Sequence, residues 1–315
     1  MLVPPRLNTH PALLLSTLPL VAGVGSALAL LSFVGRVQAG HMADTVGAYS
    51  ALMVAGALGV MLLLSALLRT SPSTPPAPLV LLVGLAMLPW LLGIAGTHEA
   101  MEKVLGALPT DVGAGAALAV LVPGTGEAMV TRMVGAWMSA ALLVSVAGGL
   151  VLQHGRAGLG TQPSGRLLGA ALGLTLGCTA MLVALEAYHL FELLTTLSTQ
   201  APEARAGLVA TGTAHLARLH ELRSATLGAL GVVALALVAW QFFLRPEAVT
   251  QWAGSLGLAA LAATVLFLDT RPLHLSVRGP WDADASRPEV TLPVRQLLAN
   301  ALSTVPPATC LDPQR

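Results

Sequence analysis

Long apolar runs alternate with short polar segments along most of the chain. Six of the seven runs have 19 to 25 residues, close to the roughly 20 that an α-helix needs to cross the hydrocarbon core of a bilayer, and the last has 15. The runs must be helical there, because an open strand would leave backbone N–H and C=O groups without hydrogen-bond partners in lipid. We therefore predict an all-α integral membrane bundle of about seven transmembrane helices. The runs cover Ala12–Val34, Val46–Leu68, Ala77–Gly96, Ala128–Leu152, Leu167–Tyr188, Ala225–Phe243 and Gly254–Leu268.

Breaks between the runs group the predicted helices into hairpins. Proline-rich sequence follows Arg69 and glycine-rich sequence follows Gln153, and both compositions favour a turn. We predict a transmembrane helical domain over residues 1–269 and a small extracytoplasmic tail over residues 270–315. Within the domain, three hairpins cover about 12–68, 77–153 and 167–244, and a last helix covers about 251–269. Longer segments, Thr97–Pro123 and His189–Ser224, are expected to separate the arms of the second and third hairpins.

The hairpins share weak similarity at a spacing of about 88 residues. Val46-Gly-Ala-Tyr49 matches Val134-Gly-Ala-Trp137, and Glu99-Ala100 matches Glu186-Ala187 one residue out of step. Three diverged copies of one helical hairpin would explain these matches. Chance agreement in a sequence rich in alanine, glycine and leucine is the alternative explanation.

The C-terminal tail carries two different patterns. Apolar and polar residues alternate over Arg271–Arg278, which predicts a short strand. Apolar residues recur at helical spacing over Val290–Val305, which predicts a helix. A segment of about 45 residues buries little core by itself, so we expect the tail to rest on the membrane domain or on a partner.

Composition supports a membrane location. Hydrophobic residues make up 55% of the chain, charged residues make up only 10%, and the mean hydropathy is +0.77. These values lie well outside the range of soluble domains. The near balance of 16 basic and 15 acidic residues argues against nucleic acid as a partner, because no basic footprint is present.

Charge in the short linkers predicts the orientation. Arg69, Arg156, Arg166 and Arg245 lie between hairpins in mostly acid-free turns, which is typical of the cytoplasmic side. The first apolar run follows only Arg6 and is longer than a signal-peptide core, so we expect it to be retained as a span. We predict a multi-pass protein of a bacterial-type inner membrane, with a cytoplasmic N-terminus and the C-terminal tail outside.

One stretch places ionisable residues where a helix enters the membrane. It runs from Leu121 to Gly135 and contains Glu127, Thr131 and Arg132. A charged group in a span costs roughly 2.5 to 3.5 kcal/mol near the bilayer centre, so such a group usually faces protein or water. We expect the functional residues, where the sequence indicates any, to lie in this stretch.

This stretch resembles the last membrane helix of the MotA/TolQ/ExbB family of proton-channel subunits. A second stretch, Pro89–Thr97, resembles an upstream proline- and glycine-containing motif of the same family, with one residue inserted. The resemblance covers about Pro89–Gln153. The residues that match the family pattern in the first stretch are Leu121, Pro123, Gly124, Glu127, Ala128, Met129, Thr131 and Gly135.

The resemblance implies a helical bundle that conducts protons, with Thr97, Glu127 and Thr131 lining a polar path. It also implies an oligomer and partner subunits with one membrane helix, like ExbD or TolR. Arg132 replaces the second threonine of the family motif and would repel protons. The family's large cytoplasmic domain is absent, and three hairpins replace one, so a scaffold without conduction is the alternative within this interpretation.

Histidine and acidic residues at helical spacing suggest another function. A pair three or four residues apart shares one helix face. The sets are His41 with Asp44, His98 with Glu102, His189 with Glu192, and His215 with His220 and Glu221, and the candidate metal ligands are His98, Glu102, His215 and His220. Imidazole and carboxylate groups are ligands for zinc and related ions, which would suit a metal-binding transporter or membrane enzyme. The same residues would also serve as the wet face of helices lying on the membrane surface.

A purely structural role is also open for the charged pair. Glu127 and Arg132 could form salt bridges to neighbouring hairpins and only hold the bundle together. The sequence contains no HExxH motif, nucleotide-binding loop, nucleophile elbow or haem-attachment motif. We therefore expect no enzymatic activity, no catalytic residue and no cofactor.

Overall fold

A computed structural model of the chain is predominantly α-helical. The described residues include six helices of ten or more residues and two short strands, numbered in chain order. The helices are α1 (Ala48–Arg69), α2 (Ala77–Ala86), α3 (Leu88–Gly106), α4 (Ala114–Arg156), α5 (Gly165–Thr199) and α6 (Pro202–Leu244), and the strands are β1 (His274–Ser276) and β2 (Thr291–Pro293). The structure describes residues 21, 46–69, 77–106, 114–156, 165–199, 202–244, 263–267, 274–276 and 291–293.

Within the described residues, four helical segments are long and apolar enough to cross a membrane. Many of their large apolar side chains point outward, for example Leu52, Leu58 and Leu62 on α1, which are more than half exposed. An apolar exterior of this kind is what a lipid-facing surface requires. The segments are Ala48–Ala66, Leu82–Val104, Val122–Gly155 and Leu167–Leu197.

Helices α3 to α6 pack in chain order: α4 contacts α3 and α5, and α5 contacts α4 and α6. Glycines bring α4 and α5 close: a Cβ on Gly173 would lie 3.3 Å from the Leu143 carbonyl oxygen, and one on Gly126 would lie 3.3 Å from Leu194 Cβ. These pairings run in opposite directions along the two helices, which are therefore antiparallel. Helix α1 lies against α2, α3 and α4.

A helix break at Met87 separates α2 from α3. Pro89 lies just after this break and has no backbone N–H to donate. The backbone N–H of the next residue, Trp90, donates to Ser139 Oγ on α4, at 2.9 Å. A broken helix is tolerated in a membrane when a neighbouring helix satisfies the freed backbone group, and Ser139 does so while fixing α3 against α4.

Two segments predicted to separate helical arms are helical wherever the structure describes them. Helix α3 continues through Thr97 to Gly106, and α4 begins at Ala114, ahead of Pro123. Helix α5 continues past His189 to Thr199, and α6 begins at Pro202. At a rise of 1.5 Å per residue, the 43 residues of α4 extend about 64 Å, roughly twice the hydrocarbon thickness.

The tail contains a two-stranded antiparallel ribbon. Strand β1 lies within the predicted strand Arg271–Arg278, and Leu275 pairs with Leu292 of β2. Residues 291–293 were expected to begin a helix and form a strand instead, because pairing with β1 supplies their backbone hydrogen bonds.

Several predictions concern residues outside the described part of the chain. These are most of the first span Ala12–Val34, most of the last helix at 251–269, and the remainder of the tail and the predicted helix Val290–Val305. The predicted span Ala225–Phe243 lies within α6. The total of seven spans, the grouping into three related hairpins and the domain limits therefore stay predictions.

Candidate functional site

The two stretches that carry the family resemblance meet where α3 crosses α4. A Cβ on Gly135 would lie 2.9 Å from Gly93 Cα, and one on Gly93 would lie 3.0 Å from the Thr131 carbonyl oxygen. Both positions require glycine, because the atoms in the way are backbone atoms that cannot turn aside. The crossing is thus a direct backbone contact between the two helices.

A third helix reaches this crossing at Gly96. A Cβ there would lie 2.5 Å from Thr131 Cγ2 and 3.2 Å from the Tyr49 ring of α1. The Tyr49 hydroxyl donates to Glu99 Oε2 at 2.8 Å, and Lys103 Nζ donates to Glu99 Oε1 at 2.7 Å. Glu99 therefore ties α1 to the C-terminal half of α3. The sequence interpretation placed Glu99 in an interhelical segment and gave it no role.

One ridge of α4 faces α3 along the crossing. Glu127, Thr131, Gly135 and Ser139 follow at steps of four residues, which places them on one helix face. Thr131 and Ser139 are buried, and Glu127 is exposed at the N-terminal end of the ridge. The ridge therefore runs from an exposed carboxyl to buried hydroxyls.

The four residues expected in a proton path have different surroundings. Thr97 and Thr131 are each only 2% exposed. The Thr97 hydroxyl donates to the Gly93 carbonyl oxygen at 2.8 Å, within its own helix. Arg132 is partly buried, next to the ridge rather than on it. The crossing brings the two threonines into the same buried layer and leaves the two ionisable groups at its margin.

A second polar region joins α5 to α6. Arg223 Nη1 lies 2.7 Å from Glu186 Oε2, and the side chains are only 9% and 13% exposed. Arg223 Nη2 also lies 3.1 Å from His220 Nδ1. An ion pair this deeply buried between two apolar helices must hold its partners in place, since separating them would leave an unneutralised charge in a dry environment.

The same contact continues in both directions along the helices. Thr179 donates to Thr226 at 3.3 Å on one side of the ion pair. On the other side His189 Nε2 lies 3.2 Å from His215 Nε2. Polar contacts of three kinds therefore follow one another along α5 and α6.

Sequence reasoning missed the pairing of Glu186 with Arg223. One signal was available, because Glu186 is the acidic residue inside the predicted span Leu167–Tyr188, and an ionisable residue in a span usually has a functional or structural partner. The partner was not apparent, since Arg223 was assigned to a segment between arms.

The histidines and acids expected to bind metal are divided among different neighbours. His98 and Glu102 are both exposed on the C-terminal half of α3. His215 meets His189 on α5, whereas His220 contacts Arg223. Within the described residues, no group of three or more histidine, cysteine or acidic side chains converges as a metal site. His41 and Asp44, another spaced pair, lie outside those residues.

Comparisons with protein-family models, curated proteins and solved structures return no match to this chain. The structure supports a membrane-protein class through its four apolar helices.

Proposed function

We propose that this chain is a multi-pass subunit of a proton-motive-force-coupled membrane complex, of the MotA/TolQ/ExbB kind. It would either conduct protons or hold partner helices in place. The observation that supports the proposal most strongly is that the two resembling stretches pack against each other, with Gly93 opposite Gly135 and Thr97 and Thr131 buried beside them.

The chemistry of the ridge fits a role in handling protons or polar partners. Hydroxyl groups in a dry bundle can hold water and pass protons, and Glu127 supplies an exposed carboxyl at the end of the same face. Between Thr131 and Ser139, however, Gly135 lies against the backbone of α3, which leaves no room for water there. In this conformation the crossing is closed to water, which favours the scaffold form of the function.

The proposal includes the finer architecture. The full chain would have about seven spans, arranged as three related hairpins and one terminal helix. It would sit in a bacterial-type inner membrane with its N-terminus in the cytoplasm and its tail outside. Partner subunits with one membrane helix would pack against the bundle, and the chain would work as part of an oligomer.

Proton flux into liposomes tests the conducting form. The purified protein would be reconstituted alone and with candidate single-helix partners, and flux would be followed with a pH-sensitive dye. Conduction through the ridge predicts that Glu127→Gln and Thr131→Val each remove most of the flux. Glu221→Gln on α6 and Thr196→Val on α5 are matched controls, and flux should persist in both.

The scaffold form gives a different result in the same experiment. Folded protein would show no flux, and it would retain a single-helix partner that Glu127→Gln releases. Folded protein that neither conducts protons nor retains such a partner would contradict the proposed function in both forms.

A further inference from the structure

Two histidines on neighbouring helices face each other at the outer end of the α5–α6 contact. The Nε2 atoms of His189 and His215 lie 3.2 Å apart, and the two rings meet edge to face, with centroids 4.3 Å apart and planes at 72°. Both helices are continuous through these residues, so the two side chains are presented by rigid elements.

The separation of the two nitrogen atoms matches the bite of one metal ion. Imidazole nitrogens bind zinc at about 2.0 to 2.1 Å. Two such nitrogens lie about 2.9 Å apart when their bonds meet at a right angle, and about 3.3 Å apart at a tetrahedral angle. The observed 3.2 Å falls between these values. A metal ion could therefore bind both nitrogens with small ring movements.

A carboxylate lies near the second ring nitrogen of His189, where it favours metal binding through Nε2. His189 Nδ1 lies 3.5 Å from Glu192 Oε2, one helical turn along α5. When Nδ1 carries the proton and points it at a carboxylate, the lone pair of a neutral ring is on Nε2, which faces His215. Histidines that bind metals usually have such a carboxylate on their second nitrogen. The edge-to-face contact with Tyr188, at 5.6 Å between centroids, also restrains the ring of His189.

We propose that His189 and His215 bind one divalent transition-metal ion of the borderline class, such as Zn²⁺, Ni²⁺ or Cu²⁺. The proposal is independent of the proton-coupled function above. His189, His215 and Glu192 are all at least partly exposed, so water can fill the remaining positions around the ion. Such a site would join α5 to α6 beyond the buried Glu186–Arg223 pair.

Metal binding replaces an existing contact between the rings. Without metal, two neutral imidazoles at this distance share one proton, with one Nε2 donating and the other accepting. An ion needs the lone pairs of both Nε2 atoms, so the donating ring carries its proton on Nδ1 once the ion binds; both rings stay neutral and no proton is lost. The two states keep nearly the same spacing of α5 and α6, which makes the site preformed.

Isothermal titration calorimetry tests the proposal. Full-length protein in detergent micelles, with any affinity tag removed, would be titrated with Zn²⁺ and with Ni²⁺. We expect one ion per chain at the site, and a loss of affinity of about 100-fold in both His189→Gln and His215→Gln, since even an outer partner of a ligand is worth about 10- to 100-fold. His154→Gln on α4 is the matched control and should bind as the wild type does.

If a histidine variant folds poorly, a milder substitution at Glu192 and a copper spectrum still test the proposal. Glu192→Gln retains both ligands and should weaken binding about 10-fold. With Cu²⁺, electron paramagnetic resonance of the wild type should show two imidazole nitrogens on the ion, and His215→Gln should show one. Affinity unchanged in all three variants, or a copper spectrum without nitrogen ligands from His189 and His215, would overturn the proposal.

Discussion

The α3–α4 pair and the α5–α6 pair are held together in different ways. At the α3–α4 crossing, Gly93 and Gly135 let the two backbones touch, and ionisable side chains stay at the margin. Between α5 and α6, a hydroxyl pair, an ion pair and a histidine pair follow one another along the contact. One contact depends on the absence of side chains, and the other depends on polar side chains.

This difference follows from the solvent around a membrane helix. An apolar side chain gains little by leaving lipid for another apolar helix, so helices associate through close packing of small residues or through polar contacts. A packed crossing should be sensitive to added volume and insensitive to charge elsewhere. A polar contact should be sensitive to the loss of one partner and tolerant of the loss of both.

The largest expected effect comes from breaking the buried ion pair. Arg223→Met would leave Glu186 between α5 and α6 without its charged partner, and we expect a loss of about 3 to 5 kcal/mol of unfolding free energy. The double variant Glu186→Met with Arg223→Met removes both charges and should lie within about 1 kcal/mol of the wild type, or above it. Unfolding of the protein in mixed micelles by added denaturing detergent would measure both.

The two single variants of the pair should also differ from each other. A carboxyl left alone can take up a proton and become neutral, whereas a guanidinium stays charged. Glu186→Gln should therefore destabilise the protein more than Arg223→Gln does. If the double variant were as unstable as either single variant, the pair would be holding more than its own charges in place.

Added volume at the glycine crossing should give the next largest effect. Gly135→Ala places a methyl group against the backbone of α3 at Pro89 and Gly93, and overpacking of this kind costs about 1 to 3 kcal/mol. Gly148→Ala is the matched control on the same helix, since nothing lies within 4 Å of its Cβ position. Because alanine favours a helix by up to about 1 kcal/mol over glycine, the control should be neutral or stabilising.

Thermal unfolding of the two glycine variants in one detergent would separate these outcomes. The comparison between the two helix pairs fails if Gly135→Ala and Gly148→Ala shift the unfolding temperature in the same direction by the same amount. Such a result would mean that α3 and α4 can move apart without cost.

Sequence analysis singled out the two stretches that contain Pro89 and Gly135, but it predicted neither their packing against each other nor the polar contact between α5 and α6. The pairing of Glu186 with Arg223 depends on the rotation and offset of two whole helices relative to each other. No local sequence pattern determines that relation, although the position of Glu186 within an apolar run indicates by itself that this residue has a partner.

Helix ends were predicted less well than helix cores. The polar residues of 202–224 suggested a segment between arms, yet they form the first half of α6 because alanine, leucine and arginine are strong helix formers and α5 offers a surface to pack on.

Sequence similarity also did not guarantee the same backbone. Gly47, in the match between Val46–Tyr49 and Val134–Trp137, has a φ of +55°, whereas Gly135 lies inside a continuous helix.

The smallest expected effect is at the hydroxyl pair of the α5–α6 contact. The hydroxyl oxygens of Thr179 and Thr226 lie 3.3 Å apart, and each hydroxyl also has a carbonyl oxygen of its own helix at 2.8 Å that competes for its one proton. Replacing either residue with valine keeps its shape and removes only the hydroxyl. Because hydrogen bonds between membrane helices average about 0.6 kcal/mol, a double-mutant cycle of Thr179→Val and Thr226→Val should give a coupling of about 0.5 kcal/mol or less. Thr196→Val, whose hydroxyl donates to the Glu192 carbonyl oxygen of its own helix, is the control for the loss of a hydroxyl alone. A coupling above about 2 kcal/mol would show that the threonines, rather than the ion pair, hold α5 to α6.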